Sequence, residues 1–138
     1  MKYKAVIFDL DGVICHTDQY HYLSWKQILN ELNIYFDKKI NNLLRGIGRM
    51  ESFDIILKTS GKKLSDEEKI FYINKKNNIY IEMLNNMSPD DVSSDVYKTL
   101  RILRKNKVKT AIGSSSKNAS IILERIKLTN EFDVIVCV

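Results

Sequence analysis

Two stretches of this sequence combine residue types that can do chemistry. The first is Ala5-Val6-Ile7-Phe8-Asp9-Leu10-Asp11-Gly12-Val13, an apolar run ending in two aspartates one residue apart and then a glycine. In an extended segment, residues i and i+2 point the same way, so both carboxylates converge on one spot. Two carboxylates that close repel, and one is driven neutral unless a cation or a proton-transfer role separates them. A hard divalent ion such as Mg²⁺, held by carboxylate and carbonyl oxygens, resolves the conflict. Taken alone, Asp-x-Asp-Gly reads equally as a surface turn. The second stretch is Thr110-Ala111-Ile112-Gly113-Ser114-Ser115-Ser116-Lys117-Asn118, a strand running into a helix. Free backbone N–H groups at a helix start, small hydroxyls and a lysine make a phosphate site. A serine N-cap explains one of those serines, but not three followed by Lys-Asn.

Both stretches need a scaffold that brings strand ends together. Lys4 to Phe8 is short, β-branched and apolar, as a buried strand requires. From about Asp18 to Met87 the pattern becomes helical. His21 to Leu32 forms one helix, with Tyr22, Trp25, Ile28, Leu29 and Leu32 on its apolar side. Lys39–Leu44 and Met50–Leu57 form two shorter ones. A fourth starts at Ser65, with Glu68 three residues later in capping-box spacing, and runs through Ile70, Ile73, Tyr80, Ile81 and Leu84. After Ser88-Pro89 the pattern alternates: helix Val96–Leu103, strand Val108–Ile112, helix Lys117–Ile126, strand Val134–Val138. Such alternation implies right-handed parallel crossovers. The expected fold class is α/β: a Rossmann-like doubly wound parallel sheet core, incomplete, with an inserted all-helical cap domain. Residues 1–17 and 88–138 form the core and 18–87 the cap.

Bulk properties narrow the class. With 138 residues, 44% of them hydrophobic, the chain can bury a core without disulfides. Cys15 and Cys137 sit near opposite ends, which suits a reducing, cytoplasmic setting, although a single bridge stays open. The acids at positions 9 and 11 interrupt the N-terminal apolar run too early for a signal peptide. A net charge of +5 comes from scattered lysines and not from one helical stripe, which argues against nucleic acid as partner.

Phe8-Asp9-Leu10-Asp11-Gly12-Val13, the helical insert and the strand ending in Gly113-Ser114-Ser115-Ser116-Lys117-Asn118 resemble the haloacid dehalogenase-like superfamily of phosphoryl-transfer enzymes. Tyr20-His21 with Trp25, Leu44-Arg45-Gly46-Ile47-Gly48-Arg49 with Glu51-Ser52, and Lys75-Lys76-Asn77 make the chain most similar to the superfamily's β-phosphoglucomutases. The resemblance implies Asp9 as nucleophile and Asp11 as general acid/base. It implies Mg²⁺ on an Asp9 carboxylate oxygen and the Asp11 carbonyl, with Ser114 holding the transferring phosphoryl group. It implies Arg49, Ser116, Lys117 and Asn118 as the grip on the other phosphate of a hexose phosphate. Arg45, Gly46 and Ser52 belong to the same substrate-binding set. Thr17, His21, Trp25 and Lys76 are implied as hinge and cap residues that help place Asp11. Without that fit to the family, His21 and Trp25 read as structural residues, and Lys75 and Lys76 as a solvated helix face.

Arg45 stands where the family usually has lysine, and Gly48 where it usually has serine, which leaves sugar specificity open. The superfamily's third motif, a lysine, and its fourth, an acidic pair, are not found before Val138. The chain alone is therefore expected to be inactive or impaired. Three readings follow from the resemblance. The first is a mutase interconverting β-glucose 1-phosphate and glucose 6-phosphate through an aspartyl-phosphate enzyme. The second is a sugar-phosphate or other small-molecule phosphatase, and the third a non-catalytic piece that assembles with another chain. Self-association through an unfinished sheet edge belongs with the third.

Overall fold

The computed structural model describes residues 2–138. Among these residues nine α-helices and β-strands follow one another. They are β1 (Ala5–Phe8), α1 (Asp18–Glu31), α2 (Lys38–Leu43), α3 (Arg49–Ser60), α4 (Asp66–Leu84), α5 (Ser94–Lys105), β2 (Lys109–Ser114), α6 (Ala119–Arg125) and β3 (Val134–Cys137). The chain divides into two compact units: one runs to Asp18 and resumes at Leu84–Val138, and the other is Gln19–Met83.

The first unit is a parallel three-stranded sheet in the order β1-β2-β3, with Phe8 opposite Ile112 and Gly113 opposite Val136. It is the α/β fold expected from the alternating pattern. Parallel neighbours need crossovers, and right-handed crossovers that step in one direction across a sheet put their helices on one face. Burial agrees. Thr110, Ile112 and Ser114 of β2 are buried with Leu100, Leu103, Ala119, Ile122, Leu123 and Ile126. The opposite face, with Ile7, Val134 and Val136, stays exposed. Among the described residues the sheet is thus wound on one side only.

The helical unit closes around Trp25, Ile28, Leu29, Leu32, Ile34, Phe36, Leu44, Phe53, Ile56, Leu57 and Ile73. Four of these are apolar positions expected on α1, and their i, i+3, i+4, i+7 spacing puts them on one stripe. Lys62 Nζ donates to the Leu32 carbonyl at 2.8 Å, satisfying an oxygen just past the end of α1.

Local starts and stops follow the sequence signals with small shifts. The Ser65 box forms: its N–H donates to Glu68 Oε2 at 2.8 Å, and the Glu68 N–H donates to Ser65 Oγ at 3.2 Å. A second box, Ser88 with Asp91, holds the turn at Pro89–Asp91. Because the Ser65 cap satisfies an otherwise orphaned donor of α4, Ser65→Ala is expected to destabilise the chain by about 1 kcal/mol. Urea unfolding checks this, and an unchanged midpoint would mean that α4 is held by packing alone.

One expected boundary needs correcting. The last helix begins at Ala119, two residues after Lys117, because the serine hydroxyls turn the chain first. No bridge joins the cysteines: both are free, Cys15 buried and Cys137 exposed.

Candidate active site

At the carboxyl end of the sheet, Asp9 follows Phe8, the last paired residue of β1, and Ser114 closes β2 two residues beyond Ile112. Open parallel sheets place their ligand crevices at this end. Asp9 is exposed, and its Oδ1 accepts the Leu10 N–H at 2.8 Å. The next turn is wound tightly around one carbonyl, since Leu10 O accepts from the N–H groups of Val13, Ile14 and Cys15. Gly12 makes that winding possible with φ of +82°, a conformation that costs a side chain-bearing residue strain, and its N–H donates to Cys15 O at 2.7 Å. Leu10 is fully buried beneath the turn, so the segment between the two aspartates is anchored.

The two carboxyls sit in different settings. Asp11 is half-buried, and burial holds its pKa above the ordinary carboxylate value, with the Asp9 charge pushing the same way. The Thr17 hydroxyl, itself buried, donates to Asp11 Oδ1 and opposes that rise. Asp9 is thus the exposed member of the pair, and Asp11 the half-buried member with its pKa held above the ordinary carboxylate value. Cys15, next along, is pushed up to about 12 by burial, which leaves it an unreactive thiol.

The donor set fits Mg²⁺. Asp9 would offer a hard carboxylate oxygen and Asp11 its backbone carbonyl oxygen, and Mg²⁺ typically takes one or two carboxylates and fills its shell with water and phosphate. Among the described residues no cluster of three or more His, Cys, Asp or Glu forms.

The serine-rich loop differs in detail from the expected anion cradle. The Ser116 N–H donates to Ser114 Oγ at 3.0 Å, and the Asn118 N–H donates to Ser116 Oγ at 3.2 Å. Two of the backbone donors expected to be free are therefore engaged in serine turns. Ser114 is buried and Lys117 exposed, and each serine hydroxyl keeps its own proton to donate.

The helical unit gathers a second set. Lys76 is only 1% exposed, and its Nζ donates to His21 Nδ1 at 3.0 Å. The same ammonium lies 5.1 Å from the Trp25 ring centroid and 4.9 Å from that of Tyr80. His21 in turn stacks on Tyr80 with centroids 4.2 Å apart. Burial lowers Lys76 to about 7, with the Arg49 charge adding to the shift. Burial lowers His21 to about 3, helped by Lys76 and then Arg49. The imidazole is therefore neutral at neutral pH.

Of the other expected site residues, Trp25 is 3% exposed and packs on Phe53 in the core, touching Lys76 from beneath and offering no open surface. Ser52 is buried and donates to the Ile47 carbonyl at 3.4 Å. Gly46, at φ of +75°, and Arg45 are exposed in the loop ahead of Arg49, the first residue of α3. Lys75 forms an ion pair with Glu31 at 2.6 Å, so of the adjacent lysines only this one matches a solvated helix face. Tyr80 is the residue the sequence reading passed over as apolar. The signal was available, because 73, 76 and 80 share one helical stripe and the stripe contains a lysine.

Comparisons with known proteins place the chain. It is 39% identical over 135 residues to β-phosphoglucomutase of Bacillus subtilis, a match covering 96% of this chain and 60% of that protein. A phosphorylated carbohydrates phosphatase of Thermotoga maritima is 23% identical, with the same shares covered. Among solved structures, a β-phosphoglucomutase from Clostridium difficile superposes with a TM-score of 0.90 at 38% identity, covering 96% of this chain and 60% of that one. The chain thus spans about 60% of the length of these relatives. The haloacid dehalogenase-like hydrolase model matches residues 6–138, from within β1 to the residue after β3, and the chain belongs to that family.

Proposed function

We propose that this chain carries the phosphoryl-transfer residues of a β-phosphoglucomutase-type enzyme that interconverts β-glucose 1-phosphate and glucose 6-phosphate. The carrying observation is the pair of unlike carboxyls at the tip of β1, in a chain 39% identical to a β-phosphoglucomutase. Asp9, exposed at the strand tip, attacks the phosphorus, and an aspartyl phosphate forms as the donor's P–O bond breaks. Asp11 gives its proton to the leaving sugar oxygen, and on return takes one from the attacking hydroxyl. The Ser114 hydroxyl donates to the transferring group. Lys117, Ser116 and Asn118 bind the sugar's second phosphate as charge-assisted donors. Mg²⁺ bound at Asp9 and Asp11 would neutralise charge on the transferring group.

The test is a coupled assay with β-glucose 1-phosphate, Mg²⁺ and a trace of the bisphosphate. It is run on this chain and on a chimera carrying the unmatched part of the B. subtilis protein after Val138. The chimera is expected to form glucose 6-phosphate, with the chain alone far slower. Inorganic phosphate without isomerisation would favour a phosphatase, the activity named for the T. maritima relative. A folded chimera that yields neither product would refute both.

A further inference from the structure

One aromatic ring in the helical unit touches both His21 and Lys76. Tyr80 is fully buried on α4, one turn beyond Lys76, so the two side chains share a helical face. Its ring stacks on His21 of α1 with centroids 4.2 Å apart and planes 16° from parallel. The same ring lies 4.9 Å from Lys76 Nζ. Trp25, one turn beyond His21 on α1, approaches that nitrogen at 5.1 Å. Two rings from two helices thus bracket one amine, and His21 Nδ1, 3.0 Å away, supplies its polar contact.

The two rings have different tasks. Trp25 also packs on Phe53, which ties it to the core. Tyr80 holds both members of the pair. A near-parallel stack resists rotation of the imidazole, because turning would drive the edge of one flat ring into the face of the other. The ring's π electrons also attract an ammonium without bringing a carboxylate that would fix it in the charged form. Arg49, the first residue of α3, is the further charge that bears on the pair, and it disfavours a positive charge on either His21 or Lys76.

Exposure separates the two partners. Lys76 is 1% exposed, so in this arrangement a ligand meets its nitrogen only by way of His21. His21 is half-buried and has an edge to present. An imidazole that binds a ligand is worth most when its plane is already fixed, since a small misplacement of a contacting group costs rate out of proportion to its size.

We propose that Tyr80 is the positioning residue of the His21–Lys76 pair, its ring fixing the plane of the imidazole and sealing the amine behind it. That His21 then meets a sugar phosphate rests on the mutase reading, whereas the hold on the pair does not.

The test compares Tyr80→Phe, which keeps the ring, with Tyr80→Leu, which removes it. In this chain, isotope-labelled and followed by NMR, the wild type and Tyr80→Phe should show Lys76 titrating at about 7. Burial is the main cause of that low value, so water admitted by leucine should raise it by about one unit or more toward 10.5. The carbon-bound protons of His21 should be shifted upfield by the stacked ring in the wild type and Tyr80→Phe, and not in Tyr80→Leu. A folded Tyr80→Leu with unchanged Lys76 titration would make Tyr80 core packing alone and overturn the proposal. Should leucine prevent folding, the upfield shift in the wild type and Tyr80→Phe decides, and its absence would overturn the proposal as well. In the chimera, kcat/KM for β-glucose 1-phosphate should fall roughly tenfold or more in Tyr80→Leu and recover in Tyr80→Phe. Acetyl phosphate brings no sugar, so its labelling of Asp9 should keep the wild-type rate. Equal loss of both reactions would mean general damage and count against a positioning role. A chimera inactive before any substitution would refute the mutase, and the titration in this chain would still decide what Tyr80 does.

Discussion

Asp9→Asn is expected to end covalent phosphorylation entirely and to lower mutase turnover of the chimera on the order of 10⁴-fold or more, the scale on which removing a nucleophile acts. The substitution is well suited to isolate chemistry. Asp9 is exposed and its Oδ1 accepts the Leu10 N–H, a bond an asparagine oxygen can also accept, so stability should change by no more than about 0.5 kcal/mol. Asp11→Asn gives the necessary contrast. It keeps the oxygen that accepts from Thr17 and loses the proton, so turnover with sugar phosphates should fall roughly 10²–10⁴-fold. Acetyl phosphate, whose leaving group needs no proton, should still phosphorylate Asp9 in that variant. Radiolabel on the protein, read with each donor, distinguishes the two carboxyls. Labelling of Asp9→Asn by any donor would place the nucleophile elsewhere.

How much of this was legible in the sequence depended on the range of the forces involved. The three strands, the helix stripe of Trp25, Ile28, Leu29 and Leu32, and the Ser65 box were readable because each is fixed by residues within one or two turns. The carboxylate pair was readable because a strand period and a glycine at positive φ are local properties. What escaped was set by neighbours distant in sequence. Read without the family pattern, Lys76 looked like a partner of Lys75 on a wet face, and only the meeting of α1 and α4 shows one lysine paired to Glu31 and the other sealed under rings. The serine loop adds a local detail that the motif did not show: the Ser114 and Ser116 hydroxyls accept from the N–H groups of Ser116 and Asn118. The one-sided winding was implicit in the strand order, which composition cannot reveal.

Lys76→Met is expected to raise stability below neutral pH and to flatten its dependence on pH above. Burial lowers the folded pKa of Lys76 to about 7 from 10.5, so between those values the native amine is neutral while the unfolded one is protonated. The unfolded state then binds more protons, and stability rises with pH across that window, by up to ~1.4 kcal/mol per unit. Below pH 7 the native chain bears the whole burden of a buried ammonium, several kcal/mol, offset in part by the Trp25 and Tyr80 rings and by His21. His21 acts in the same direction at lower pH. Lowered from 6.5 to about 3, it contributes stability that is lost as acid protonates the unfolded imidazole. Methionine is apolar and of similar reach, so it removes the buried charge without opening a large cavity. It leaves His21 Nδ1 without its donor, which costs about 1–3 kcal/mol. The balance favours the variant by about 2 kcal/mol at pH 6 and reverses near pH 9, where the wild-type amine is already neutral. Urea midpoints at pH 6, 7.5 and 9 read both the crossing and the lost slope. Parallel pH profiles for the two proteins would mean that Lys76 keeps an ordinary pKa.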